Sequence, residues 1–270
     1  MKTSAKKVIF FSVDVDGAFA TAIINGLQPN PSSPLEISLV FISLFLKRNY
    51  CLYPVRSANN LLSFGYVFYR RESFDLPLDR YGITDTKASG NVTHFLDTSG
   101  VNQVSILVLQ KYESPILACA VSEVLLSLAG EDASNMPSLI LPFLVDSTKL
   151  KLERKRSLDE NIYGIQIGLQ TDMIKALASR HVKAPSSMQI HHEPMSCALQ
   201  LVRVLSTSSF ILIGQSGLHK TSADAFEIIC EIGESLASAT SMQFVKEKVT
   251  WNPMKVLKEQ EKEPWRALYG

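Results

Sequence analysis

Cysteine is scarce in this sequence. There are four, Cys51, Cys119, Cys197 and Cys230, far apart and with no CxxC spacing. That argues against a disulfide-stapled scaffold and against the common zinc and redox motifs. Cys119, Cys197 and Cys230 fall in apolar runs of helical character, so buried thiols in a reducing compartment are expected. An excess of one charge is missing as well: the formal net charge is +1, so nucleic acid is not expected as a partner. Long hydrophobic runs are absent. The greasiest, Ile37 to Leu46, has ten residues, against roughly 20 for a bilayer-spanning helix, so no membrane association is expected. Lys2, Lys6 and Lys7 precede an apolar stretch, but Asp14 and Asp16 interrupt it before an export signal forms. The expected location is therefore cytoplasmic and also nuclear. Without export, the sequon Asn91-Val92-Thr93 should stay unmodified. Neither a Walker loop nor GxGxxG occurs, and no cofactor or metal is expected.

What the chain does have is a globular composition, with 46% hydrophobic and 20% charged residues in 270. Val8 to Val13, Tyr66 to Tyr69, Val104 to Leu109, Leu139 to Val145, Ile162 to Leu169 and Phe210 to Ile213 read as strands. Leu35 to Leu46 reads as a buried helix or strand. Ser114 and Pro115 suit the start of a helix over 114–129, stopped by Gly130, with Leu117, Val121, Val124, Leu125 and Leu128 on one face. Further helices are expected from Thr171 to Ser179, over 194–206 opened by Pro194, and over 222–238 capped by Ser222. Strands alternating with amphipathic helices predict an α/β fold: a layered sheet with helices on its faces, in one domain over 1–245. From residue 246 the apolar period is lost, and a flexible C-terminal tail is expected over 246–270.

Several constellations invite a chemical reading. Gly214-Gln215-Ser216-Gly217 follows a strand, the context of a hydrolase nucleophile elbow. The fifth position is Leu218 rather than glycine, and the last histidine, His219, comes too soon to complete a triad. Asp14-Val15-Asp16-Gly17 at the end of the first strand resembles the aspartate pair of haloacid-dehalogenase-like phosphatases. Ala18 replaces the expected Thr or Val, and no late acidic pair follows. His191-His192-Glu193 places adjacent histidines on opposite sides of an extended chain, which suits a polar loop better than zinc. Lys149, Lys151, Arg154, Lys155 and Arg156 form a broken basic cluster, read as a solvated loop. A hydrolase using Ser216 and a generic adaptor are the alternatives carried forward.

The sequence ends Trp265-Arg266-Ala267-Leu268-Tyr269-Gly270. A terminal carboxylate beside a tyrosine and an aliphatic suits a pocket that reads chain ends. The carboxylate pairs with a cation, the ring fills a slot and the leucine seals it. This ending resembles the hydrophobic–tyrosine–any motif with which proteasome activators and assembly chaperones dock on the proteasome α-ring. Together with DMIKALASRH (Asp172 to His181) and IHHEPMSCALQLVRVLSTSSFILIG (Ile190 to Gly214), it makes the chain similar to the proteasome assembly chaperone 1 family. The likeness covers residues 103–240 loosely and the last three residues closely. It implies a non-enzymatic α/β protein that pairs with proteasome assembly chaperone 2 and binds proteasome α-subunits. Leu268 and Tyr269 would be the anchor, and Gly270 would supply the carboxylate.

Overall fold

Lys7–Ser12 forms strand β1, and the hydrophobic effect places it at the centre of the molecule. Val8, Ile9, Phe10 and Phe11 are all buried, so the strand must be covered on both faces. In a computed structural model describing residues 6–12, 18–29, 50–55, 65–96, 102–129, 136–151, 161–217 and 222–251, it lies between two parallel neighbours. These are β6 (Asn102–Leu109) and β7 (Ser138–Asp146); β12 (Ser209–Ser216) adds a further parallel strand beside β7.

Antiparallel strands widen this parallel centre on both sides. β9 (Ile162–Ile167) pairs with β12 and is flanked by the two-residue β10 (Val182–Lys183). Beyond β6 lie β5 (Ile83–Leu96), β4 (Gly65–Leu78) and β3 (Tyr50–Val55). The order is β10-β9-β12-β7-β1-β6-β5-β4-β3. Two short ribbons complete the strands: β2 (Leu27–Pro29) with β13 (Met242–Phe244), and β8 (Leu150–Lys151) with β11 (Gln189–Ile190).

Five described helices cover the sheet. α2 (Ile116–Ala129) and α4 (Glu193–Val204) bury Leu117, Val121, Val124, Leu125, Met195, Ala198 and Val202 against one face. α1 (Ala18–Gly26), α3 (Asp172–Arg180) and α5 (Ser222–Thr240) cover the other with Ile23, Ile174, Leu177, Ile228, Ile229, Ile232 and Leu236. Each such side chain contributes about 1.5–3 kcal/mol on leaving water. The α/β class and the layered sheet agree with the sequence. No described helix is long and apolar enough to cross a membrane.

The differences are local. The 114–129 helix begins at Ile116; the Leu117 N–H already bonds Glu113 O at 3.0 Å, so a turn precedes it. The helix expected over 194–206 runs instead from Glu193 to Val204, because Ser206 takes a left-handed φ of 52°. β9 stops at Ile167 because Gly168 has φ 70°. Tyr66 to Tyr69 is one end of the much longer β4, and no apolar run in the sequence marks β5. Leu35 to Leu46 lies outside the described residues.

Candidate functional site: the root of the C-terminal segment

The parallel strands give the molecule two unlike ends. α1 and α5 both run from the carboxyl end of the strands to the amino end, and the chain that follows α5 stays there. Met242–Phe244 pairs with Leu27–Pro29, and the Val245 N–H donates to Gly26 O at 2.8 Å. Phe244 is wedged between α1 and α5. A methyl group on Gly26 would stand 2.5 Å from its ring, and one on Gly233 would overlap it. Both glycines are therefore required by close approach. Lys246 Nζ pairs with Glu234 Oε1 at 2.8 Å, and this hydrogen bond raises the lysine pKa. Val249 is buried, Asn25 Nδ2 donates to Thr250 Oγ1 at 3.2 Å, and Trp251 packs on the same core. The body thus fixes the point from which residues 252–270 depart. Leu268, Tyr269 and Gly270 themselves lie outside the described residues.

At the carboxyl end the N-termini of α2 and α4 converge on a cleft of about 400 Å³, lined by Lys111, Tyr112, Glu113, Lys149, His191 and Glu193 among others. This is where open α/β sheets commonly bind ligands. Two lysines and two glutamates leave it without net charge. Tyr112 is held in place, its hydroxyl donating to Lys87 O at 2.7 Å and accepting from the Ser89 N–H at 2.6 Å. His192 is not part of a solvated polar loop, as the sequence suggested. It is 2% exposed, its Nδ1 accepts from the Met195 N–H at 3.3 Å as the α4 N-cap, and its ring meets Phe143 edge-on. An imidazole acceptor replaces the usual Ser or Asp at that position.

Among the described residues the other sequence candidates do not assemble into a reactive centre. Ser216 ends β12 beside Asp146 of β7, whose carboxylate is occupied by the Thr148 N–H and hydroxyl at 2.8 and 2.7 Å. Among the described residues no histidine is hydrogen-bonded to Ser216. Asp14, Asp16 and His219 lie outside the described residues, as do Arg154, Lys155 and Arg156. Lys149 closes a short helical turn and Lys151 lies in the β8–β11 ribbon, both exposed on either side of buried Leu150. No group of three potential metal ligands occurs among the described residues. Cys230 is buried, while Cys119 and Cys197 are half-buried; burial raises the Cys197 pKa.

One constellation escaped the sequence reading. Ser105 Oγ and His94 Nδ1 stand 2.7 Å apart, His94 Nε2 is 3.8 Å from Glu72 Oε2, and Arg70 Nε pairs with Glu72 Oε1 at 2.7 Å. The order Ser–His–Glu looks like a hydrolytic triad. However, Ser105 is 0% exposed inside the sheet, so no substrate carbonyl reaches its oxygen. It is a polar ladder across β6, β5 and β4. Burial lowers the His94 pKa, Arg70 lowers it further, and Glu72 partly opposes them. Strand pairing brings these residues together, and no spacing in the sequence announces it.

A family model described as "Domain of unknown function (DUF7894)" matches residues 66–270. No curated protein sequence matches the chain. Similar solved structures include a protein of unknown function from Thermoplasma acidophilum, 11% identical, covering 99% of this chain and 92% of that one, TM-score 0.44. Others come from Pyrococcus furiosus. PbaB, an archaeal proteasome activator, is 8% identical over 98% of this chain and 94% of its own, TM-score 0.44. PbaA, an archaeal homolog of proteasome-assembly chaperone, is 14% identical over 99% of this chain and 89% of its own, TM-score 0.42.

Proposed function

Since the chain belongs to the DUF7894 family, whose description assigns no activity, we propose a function from its own residues: it is a proteasome assembly chaperone. With a partner resembling proteasome assembly chaperone 2, it binds the α-ring of the core proteasome and promotes ordered assembly. The observation that carries this reading is the ending Leu268-Tyr269-Gly270. Tyr269 and Leu268 would fill an apolar slot between α-subunits, and the Gly270 carboxylate would pair with a lysine there. Two supports come from elsewhere in the chain. The other stretches that carry the resemblance, Asp172 to His181 and Ile190 to Gly214, form α3, α4 and β12 and belong to the body. The segment leading to the terminus also starts from a rigid root rather than from a loose loop.

A single tail is a small ligand that loses conformational freedom on binding. Joining it to a second tail on a partner chaperone raises the affinity by roughly 10²–10⁴-fold through effective concentration. The test is recovery of α-ring intermediates by the full chain, by Tyr269→Ala and by a variant extended by one residue after Gly270. Tyr269→Ala removes ring burial, a loss of about 2 kcal/mol or more. The extension moves the carboxylate by roughly 3 Å and should be comparably harmful. Thermal stability should not change in either. Equal recovery by all three proteins would sink the reading.

A further inference from the structure

We propose that Cys119 and Cys197 form a thiol pair that closes to a disulfide under oxidising conditions, tying α2 to α4 beside the carboxyl-end cleft. The pairing follows from how the two helices lie. α2 begins at Ile116 and α4 at Glu193, and they pack side by side on one face of the sheet. Leu117 and Pro194 both line the cleft, so the helices start level. Each then leads into the start of one of two parallel strands, β7 and β12, so they run in the same direction. Cys119 is two residues beyond Leu117, and Cys197 is three beyond Pro194. With a rise of about 1.5 Å per residue, the two thiols differ in height by only about 1.5 Å.

Neither cysteine belongs to the fully buried stripe by which its helix meets the sheet, yet both are half-buried and pack against the same hydrophobic cluster. Packed helices have axes about 8–10 Å apart, with Cα atoms about 2.3 Å off each axis. Residues facing each other across such a seam therefore come within the Cα separation of roughly 4.4–6.8 Å that a disulfide spans. The two sulfurs also feel each other. Burial raises the Cys197 pKa most, Glu193 next, and negative charge on Cys119 adds to the rise. Cys230 lies in α5 on the opposite face of the sheet, out of reach of both. Hydrogen peroxide, small enough to enter a half-buried site, is the oxidant. One thiolate attacks a peroxide oxygen and the O–O bond breaks; a sulfenic acid forms, and the departing hydroxide takes up a proton as water. The second thiolate attacks that sulfur, the S–O bond breaks, and the S–S bond forms with loss of a second water. Two thiols and one peroxide thus give one disulfide and two waters, the sulfurs losing the two electrons that the peroxide gains. The raised Cys197 pKa slows closure, since the thiolate is the reactive form. In a reducing compartment such a bridge is transient, which makes it a switch rather than a staple.

The experiment treats the reduced full chain with hydrogen peroxide, blocks the remaining thiols by alkylation, digests without reduction and maps the peptides by mass spectrometry. The expected product has lost the mass of two hydrogens and yields a linked peptide pair carrying Cys119 and Cys197, which dithiothreitol separates. Its thermal midpoint should rise by several degrees, because the bridge closes a long loop of the unfolded chain. Cys119→Ser and Cys197→Ser should each abolish the linked pair and the rise, whereas Cys51→Ser should keep both. Linked peptides that carry Cys51 or Cys230 instead would overturn the inference. So would oxidation that stops at sulfinic acids with no linked peptide. A bridge that forms but lowers the midpoint would overturn it as well, since the native helices would then not hold the sulfurs within reach. If either serine variant fails to fold, the peptide map of the wild-type chain decides by itself. The outcome is independent of the tail reading, because neither cysteine belongs to the root or the terminus.

Discussion

The two ends of the parallel strands are built on opposite principles. The carboxyl end has the cleft in which α/β proteins ordinarily bind ligands, yet its lysines and glutamates cancel. Its one buried imidazole, His192, is spent on capping α4. The amino end is of another kind. It concentrates devices for holding a chain: the Phe244 wedge, the Lys246–Glu234 pair, buried Val249 and the half-buried Trp251. A fold associated with ligand clefts has thus put its most specific packing where a peptide segment leaves the body. Function should follow that packing rather than the cleft.

The largest expected effect is at the root. Gly233→Val places two methyl groups against the Phe244 ring, which Gly26 hems in from the other side. Overpacking of this kind costs about 1–3 kcal/mol. Chemical denaturation should show the loss. Binding to α-rings should weaken as well, since the tail then departs from a displaced root. Unchanged stability would mean that Phe244 is free to swing out and that the root is not rigid.

A smaller effect is expected at the opposite end. His192→Ala removes the α4 cap and the ring that meets Phe143, a loss of about 2 kcal/mol in denaturation. Ring binding should not change once the protein is folded. If it changes in proportion to binding by the tail variants, the carboxyl end takes part in docking and the contrast between the ends breaks.

The His94 ladder provides a comparison by pH rather than by mutation alone. Its folded pKa lies below the ordinary histidine value of 6.5, so between the two the unfolded chain binds the extra proton. The associated stability is fully present above pH 6.5 and is lost as pH falls toward the lowered value. The groups facing the ring are Arg70 and Glu72 on β4 and Ser105 on β6. Denaturation of wild type and His94→Gln at pH 7.5 and 5 should show a shallower acid loss in the variant. Some slope should remain, because burial also lowers the His181 pKa with the same sign. Equal slopes would show that His94 titrates normally.

The sequence disclosed the parallel centre well and the antiparallel wing badly, for a physical reason. Val104 to Leu109, Leu139 to Val145 and Phe210 to Ile213 are largely buried on both faces, so each reads as an apolar run, broken only by buried Ser105, as a covered strand does. β4 and β5 are long strands in which Arg70, Arg71, Glu72, Asp85 and Lys87 interrupt the pattern. Their pairing is carried by backbone hydrogen bonds that composition does not reveal. Gly90 was equally silent, although a methyl there would overlap Val108 O of the neighbouring strand. The candidate site divided in the same way. Its anchor residues were named from the terminus, whereas the root depends on glycine slots and strand ends that meet only after folding.

The smallest expected effect completes the contrast between the ends. Lys111→Gln and Lys149→Gln together remove both cations from the carboxyl-end cleft while keeping most of the side-chain bulk. Both side chains are exposed, and exposed substitutions of this kind fall within about 0.5 kcal/mol of neutral in stability. Ring binding should match wild type across ionic strengths, because neither lysine stands at the end where the tail departs. The salt series matters as much as the affinity itself. A long-range electrostatic contribution from this end would appear at low salt and fade as the Debye length shortens from about 30 Å at 0.01 M to 10 Å at 0.1 M. A double variant that binds several-fold more weakly at low salt, with an unchanged thermal midpoint, would place attractive charge at the carboxyl end. The cleft, and not the root, would then be the surface that meets the ring.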